Sequence, residues 1–444
     1  MYSTSAISIR IQLGLSSFQV LAMFRRGLFY TYLSIYLRYF LGMSVTETTL
    51  FATIPMILNV CSQTFLWGVL SDKLQLRRTF VIVGELLAGI GTLIVFFTHR
   101  LVDQRLIAGW IIIIGLSLVE IFWSMSNNGW SALISDLFPY KERSTIQGRL
   151  SSIGGIGRIL GVWIGGLLYD GLKLQYEGWG FYEGSLFIIA ALIMFLSAFP
   201  MVFVPEGGIS CENQTEIEDK LSPTDVITPS SHIFIIFLIA ITLINFGRNS
   251  IATILPQYLF LPSPGFAVSS ELLSYIMNTQ SLAIILLGLM VGTIGYRLGN
   301  GNTILIGAFM AIFALVLFIT SIDLSFIFLA SFLRGSSQVV IMASAYAFAS
   351  GLIPAKDRGR LFGVFNASFF LSWGLAGTLI AGPIIDFLLL SGASEIIAYR
   401  VAFLAATCVT FIGVLILIGL LIWIRIKLNP IKKENRLNES EHWV

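Results

Sequence analysis

Apolar and polar positions in this chain are sorted into long blocks rather than alternating. Twelve apolar runs lie near 14–40, 47–70, 79–98, 106–135, 146–169, 181–204, 232–260, 272–296, 303–320, 325–352, 361–389 and 400–424. A helix needs about 20 apolar residues to cross roughly 30 Å of hydrocarbon, and the runs are of that order. Membrane β-strands would alternate with period two, and these runs are continuous. The pattern predicts an all-α membrane protein of twelve spans. Two spans carry polar stripes at helical spacing. Ser117, Glu120, Ser124, Asn127 and Ser131 recur in the fourth, and Asn245, Asn249, Thr253 and Gln257 in the seventh. A polar stripe in lipid faces protein or water, so each is read as a wet face or as interhelical hydrogen-bonding glue.

Composition agrees: 56% of residues are hydrophobic and 11% charged, against about 25% charged in soluble domains. A net charge of +3 gives no reason to expect a nucleic-acid partner. Cys61, Cys211 and Cys408 form neither a disulfide framework nor a metal spacing. No nucleophile–base set or phosphate loop is present, so no catalytic residue, metal or cofactor is expected. The first run lacks a small-residue cleavage pattern and reads as a span that inserts as itself. Residues 205–231 are polar, acidic and proline-punctuated, a linker. The expected organisation is a bundle over 1–204, the linker 205–231, a second bundle over 232–424 and a tail over 425–444.

Lys and Arg set the orientation. With both termini cytoplasmic, seventeen lie on that side and five (Arg38, Arg100, Arg105, Lys173, Arg400) outside. The expected location is the plasma membrane. The triplet Asn213-Gln214-Thr215 then sits in a cytoplasmic loop and is not read as a glycosylation site. The halves repeat. Pro139 to Arg143 followed by Gly148 matches Pro354 to Arg358 followed by Gly363, at an offset of 215 (358 − 143). Phe24-Arg25-Arg26 with Tyr36 matches Phe246-Gly247-Arg248 with Tyr258, at an offset of 222 (258 − 36). Gly68 to Arg78 matches the stretch from Gly292, at an offset of 224 (292 − 68), with the acid lost.

The loop Gly68-Val69-Leu70-Ser71-Asp72-Lys73, closed by Arg77-Arg78, resembles the signature between helices 2 and 3 of the major facilitator superfamily. With the duplication, the chain is identified as a member. The resemblance implies two pseudo-symmetric six-helix bundles, a monomer working by rocking alternating access, and a solute site between the halves near mid-membrane. It also implies that Asp72 gates, meeting the start of helix 11 near Gly359–Gly363 when the cytoplasmic side is closed, with Arg77 and Arg78 beside it. The alternative is a cluster that only sets topology.

An ionisable group at mid-bilayer costs at least about 2.5–3.5 kcal/mol. Arg25, Arg26, Glu85, Glu120, Arg158, Arg248 and Arg334 lie inside spans. Arg26 and Arg248 are equivalent under the repeat and, by the resemblance, line the cavity from helices 1 and 7. Guanidinium forks match carboxylate or phosphate. The pair is similar to that of the organophosphate/phosphate antiporters, although no span-2 lysine or histidine in spans 4 and 5 completes that site. Tyr30, Asn245 and Asn249 are the further candidate solute ligands. Arg25 is turned about 100° from Arg26, so only one of the two is expected to reach the cavity. Glu120 and Arg334, at nearly equivalent positions, are the candidate coupling pair. For each charge the competing role is a structural ion pair. Glu85 is expected to be a structural partner. Arg158, in the glycine-rich Gly154–Gly166 run, is expected to serve packing. That run is similar to the helix-5 motif of drug antiporters, with Val162 where their proline stands.

The expected activity is secondary active transport of a small anionic solute, coupled to protons or to a counter-anion. Efflux of amphipathic, drug-like compounds is the alternative, and a non-transporting membrane receptor the alternative of another class.

Overall fold

The computed structural model describes residues 9–138, 140–208, 231–353 and 358–441. The linker from residue 209, Cys211 and the Pro354–Asp357 stretch of the repeat lie outside them. The chain is all-helical there. The crossings are α1 (Ile9–Ile35, extended by a π-helical turn Tyr36–Phe40), α2 (Val45–Leu74, with a π-helical turn Gln63–Trp67), α3 (Arg77–Arg100), α4 (Arg105–Leu137), α5 (Tyr140–Tyr169) and α6 (Ser185–Met201). The second half supplies α7 (Ser231–Ser250), α8 (Ser270–Leu298), α9 (Asn300–Thr320), α10 (Leu324–Leu352), α11 (Arg358–Ala376, continued through a π-helical turn to Leu390) and α12 (Glu395–Glu441). Ten crossings are long and apolar enough to span a membrane. Arginine-bearing α1 and the shorter α6 complete twelve. The last helix runs well past residue 424, so the expected tail begins as a continuation of the span.

Local chemistry explains the ends and breaks. Ser44 and Glu47 form a reciprocal capping box that starts α2, with bonds of 3.2 and 2.8 Å. The seventh span is not one helix. It is helical to Ser250, turns through Ile251–Ile254 and resumes as Leu255–Phe260. Pro256 has no N–H to give the preceding turn, which accounts for the interruption. The expected single-faced stripe is therefore divided, with Asn245 and Asn249 on one piece and Gln257 on the other. Glycines let α5 lie on α1. A Cβ on Gly157, Gly161 or Gly165 would stand 2.2, 2.0 or 2.6 Å from a backbone oxygen of α1, those of Val20, Phe24 and Leu28.

Twelve crossings put the start of α1 and the end of the α12 span on one face, called here the terminal face; the other is the distal face. At the distal end a single apolar core includes Tyr32, Tyr36, Phe181, Tyr258, Phe318 and Phe403 and spans both halves. Toward the terminal face it gives way to two separate cores. One belongs to the first half, around Phe18, Val81, Trp130 and Met201, and the other to the second, around Phe237, Ile304, Ile341 and Leu417. Polar contacts across the halves gather at the distal end as well. Arg38 pairs with Glu395 at 3.2 Å, Lys173 pairs with Glu271, and Ser270 donates to Asp170 at 2.7 Å. The halves are thus joined distally and each keeps its own core at the terminal face.

Candidate functional site

The first half gathers its intramembrane charges around one indole. The guanidinium carbons of Arg25 and Arg26 lie 4.7 and 4.2 Å from the centroid of Trp123, a cation–π arrangement worth about 0.5–2 kcal/mol each. Both neighbours reach the same ring, with Arg25 buried and Arg26 partly exposed. The indole N–H of Trp123 donates to Glu85 Oε1 at 3.1 Å, and Ser126 donates to the same oxygen at 2.9 Å. Glu85 is buried and ties α3 to α4. Glu120, one turn before Trp123, accepts from Asn59 of α2 at 2.5 Å, and Asn59 in turn accepts from Gln63. Arg25 is almost wholly buried, with Nε and Nη2 unpaired, beside a small void lined by Phe29, Tyr30, Thr92 and Met194. The serines of the α4 stripe turn back on their own helix: Ser117, Ser124 and Ser131 donate to carbonyls of Ile113, Ile121 and Asn127.

The second half is arranged differently. Arg248 is buried near the break in α7 and donates to Asn245 at 2.9 Å. Asn249 donates to Ser372 of α11 at 3.2 Å. Arg334 of α10 donates to Gln280 of α8 at 3.2 Å, and Gln280 donates to Gln338 at 3.1 Å. Glu120 and Arg334, the pair expected to couple, are not bonded to each other. Arg158 belongs to α5 but stands at the seam of the halves. One turn before it, a Cβ on Gly154 would meet Met23 and Gln19 of α1, and a Cβ on Gly155 would meet Ile285 of α8. The next carbonyl, that of Ile159, accepts from Asn278 of α8 at 3.0 Å. Among the described residues, no carboxylate lies within ion-pair distance of Arg25, Arg26, Arg158, Arg248 or Arg334.

At the terminal face Arg77 is the hub of the signature loop. It donates to Ser71 at 2.5 Å, Asp72 at 3.0 Å and Asp136 at 3.3 Å. Arg78 pairs with Glu206 at 3.0 Å. Asp72 is 77% exposed, and its partner among the described residues, Arg77, belongs to its own half. Sequence reasoning passed over Asp386, whose carboxylate accepts from the backbone N–H groups of Val45 and Thr46. The signal was an acid three residues after Pro383 inside an apolar run. It also passed over Trp123, an aromatic set within the polar stripe.

Solved structures share this fold. A variant of the nucleoside transporter NupG superposes with a TM-score of 0.72 at 17% identity, covering 92% of this chain and 99% of that one. A bacterial homologue of the human lysosomal transporter Spinster, inward-facing and unoccupied, gives 0.68 at 14% identity, over 92% and 96%. A peptide transporter of the POT type, solved in complex with sulfate, gives 0.67 at 14% identity, over 93% and 94%. At such identities the likeness is one of fold. No curated protein matches the sequence. The family profile of the Major Facilitator Superfamily matches residues 15–377 and 237–442. With twelve helical crossings among the described residues, in two repeated halves, and that profile spanning nearly the whole chain, this protein belongs to the major facilitator superfamily.

Proposed function

We propose that this chain is a secondary active transporter of a small anionic solute, driven by protons or by exchange for a counter-anion. One observation carries the reading: five arginines stand inside the membrane with no carboxylate in ion-pair contact among the described residues. Each costs at least about 2.5–3.5 kcal/mol to place there, and an anion entering between the halves offsets that cost. A drug-like cation would add to it. In this reading Arg26 and Arg248 hold the anion, with Tyr30, Asn245 and Asn249 as further ligands. Glu120 and Arg334 couple the driving ion, and Asp72, with Arg77 and Arg78, gates the terminal face. The excess of Lys and Arg supports a cytoplasmic terminal face, in the reading of this chain as a plasma-membrane protein. One fold neighbour was solved with sulfate and another, also of the POT family, with 5-aminolevulinic acid; both ligands carry acidic groups.

The test is uptake and exchange of labelled anions by protein in liposomes. Arg26→Gln is expected to abolish both while the protein keeps its melting transition. Undiminished anion transport in that variant removes Arg26 from the site. Transport of toxic cations in place of anions overturns the reading.

A further inference from the structure

We infer that Arg158 acts with Arg248 and Arg334 as a three-guanidinium clamp for a solute bearing at least two negative charges, as in a dicarboxylate or phosphate. This rests on the anion reading above and narrows it.

The intramembrane charges fall into two groups of different balance. Arg25 and Arg26 lie over Trp123, whose indole N–H donates to Glu85 at 3.1 Å, and Glu120 stands one turn before Trp123 on the same helix. Two carboxylates there offset part of the cost of the two arginines and leave Arg26 to meet the solute. α8 joins two of the other three arginines: Arg334 donates to its Gln280 at 3.2 Å, and two residues earlier its Asn278 donates at 3.0 Å to the carbonyl of Ile159, the residue after Arg158. Arg248, on α7, is the arginine that Arg334 faces from the same half. Their described hydrogen-bond partners are neutral amides: Asn245 for Arg248, and Gln280 for Arg334. Three positive charges meet no carboxylate among the described residues. A single negative charge leaves two of them unopposed in a medium of low dielectric. Two or more negative charges come close to balancing the group. Their oxygens also suit three forks, each of which pairs with a planar or tetrahedral oxyanion in bidentate fashion.

The clamp is divided between the halves. Arg158 comes from α5, and Arg248 and Arg334 come from α7 and α10. Without an anion, like charges oppose each other across the seam. With one seated between them, the same groups attract the two halves through it. A multivalent solute thus brings together the parts that must move against each other.

The discriminating experiment compares succinate with its monomethyl ester, which keeps the length and removes one charge, and with inorganic phosphate. Binding is read by thermal shift and transport by exchange in liposomes, on the full-length protein at neutral pH. Succinate or phosphate is expected to bind at least about tenfold more tightly than the ester, a step of roughly one decade in Kd. Arg158→Gln is expected to erase that preference, bringing the succinate affinity down to that of the ester. Arg158→Lys, which keeps the charge and loses the fork, is expected to fall between. Equal affinity of the wild-type protein for succinate and its ester overturns the inference and leaves the anion reading standing. A preference that survives Arg158→Gln does the same. Binding of none of the three brings down both. If Arg158→Gln does not fold, the wild-type comparison of succinate with its ester decides.

Discussion

Asp386 and Thr46 stand at the distal end of helices from opposite halves and are bound through the backbone. One carboxylate oxygen accepts from the Thr46 N–H at 2.8 Å and the other from Val45 at 2.9 Å. These are amides of the first turn of α2, which lack partners within their own helix and carry the positive end of its dipole. The contact repeats, at the other end of the molecule and with the halves exchanged, the chemistry expected of Asp72 with α11. Below it, Thr378 bonds Thr49 and Thr53, both at 2.7 Å, and Gln257 donates to Thr48 at 2.9 Å and to the carbonyl of Ser34. The distal closure is therefore a stack of cross-half bonds with a carboxylate at its rim.

Removing that carboxylate should favour opening at the distal face. Hydrogen bonds to a charged group contribute about 1.5–3 kcal/mol, so Asp386→Ala should shift the ratio of distally open to distally closed protein by about ten- to a hundredfold. Spin labels at Leu101 and Ile322, exposed on the two halves, would report it as a longer distance population. Asp386→Asn keeps one acceptor oxygen and should lie between. An unchanged distance distribution in Asp386→Ala would show that the contact does not hold the closure.

The α1–α5 contact makes a separate prediction about stability. Gly161 allows backbone to touch backbone, since its Cβ would fall 2.0 Å from the Phe24 oxygen. Backbone cannot yield as a side-chain tip does, so Gly161→Ala should cost about 1–3 kcal/mol as overpacking. That is a drop of several degrees in the melting temperature, at about 2–4 °C per kcal/mol. Gly419→Ala, where no atom lies within 4 Å, should be neutral or stabilising by up to about 1 kcal/mol. A melting temperature in Gly161→Ala equal to the wild type would mean that α1 and α5 part more easily than this packing implies.

What the chain declares locally, the sequence made readable. The twelve blocks, the glycine-rich run of α5 and the repeat that relates Arg26 to Arg248 are short-range or periodic signals. The break in α7 was half visible, because Pro256 was there to be read, but four polar residues at helical spacing argued for a continuous helix. The contacts of Trp123 could not be read. They arise where α1, α3 and α4 meet, and residue spacing within α1 alone separates Arg25 from Arg26 by about 100° without saying how far two long flexible side chains bend back. Asp386 escaped because its partners are backbone amides more than three hundred residues away. Such partners leave no trace in residue type. Arg158 was legible as a charge in a span, but its place at the seam depends on which faces of α5 meet α1 and α8.

The acids around Arg77 should separate stability from gating. Asp136 is 15% exposed and Asp72 is 77% exposed, while both bond the nearly buried Arg77. An exposed pair contributes about 0–1 kcal/mol. Removing the partner of a buried charge costs about 3–5 kcal/mol, and Asp136, not fully enclosed, should come to part of that. Asp136→Asn should therefore lower the melting temperature clearly and Asp72→Asn hardly at all. Under the gating proposal Asp72→Asn should instead slow transport, by weakening the state in which the terminal face is closed. A normal transport rate in Asp72→Asn would leave the loop a topological signal only.

Under the coupling proposal, Glu120 exchanges a proton without leaving its helix. It bonds a neutral amide, Asn59, rather than an arginine, and Arg26 is within electrostatic reach. If solute entry alters the hold of Arg26 on that region, the carboxylate is the group that takes up or releases the compensating charge. Glu120→Gln keeps the shape and the bond to Asn59 and fixes the site as neutral. In liposomes this variant should still exchange anion for anion, yet fail to accumulate anion against a gradient when a pH difference is imposed. The two rates, measured side by side, separate coupling from binding. Loss of both would place Glu120 among the groups that hold the solute or the fold, and wild-type accumulation would move coupling elsewhere, with Glu85 the next carboxylate to test.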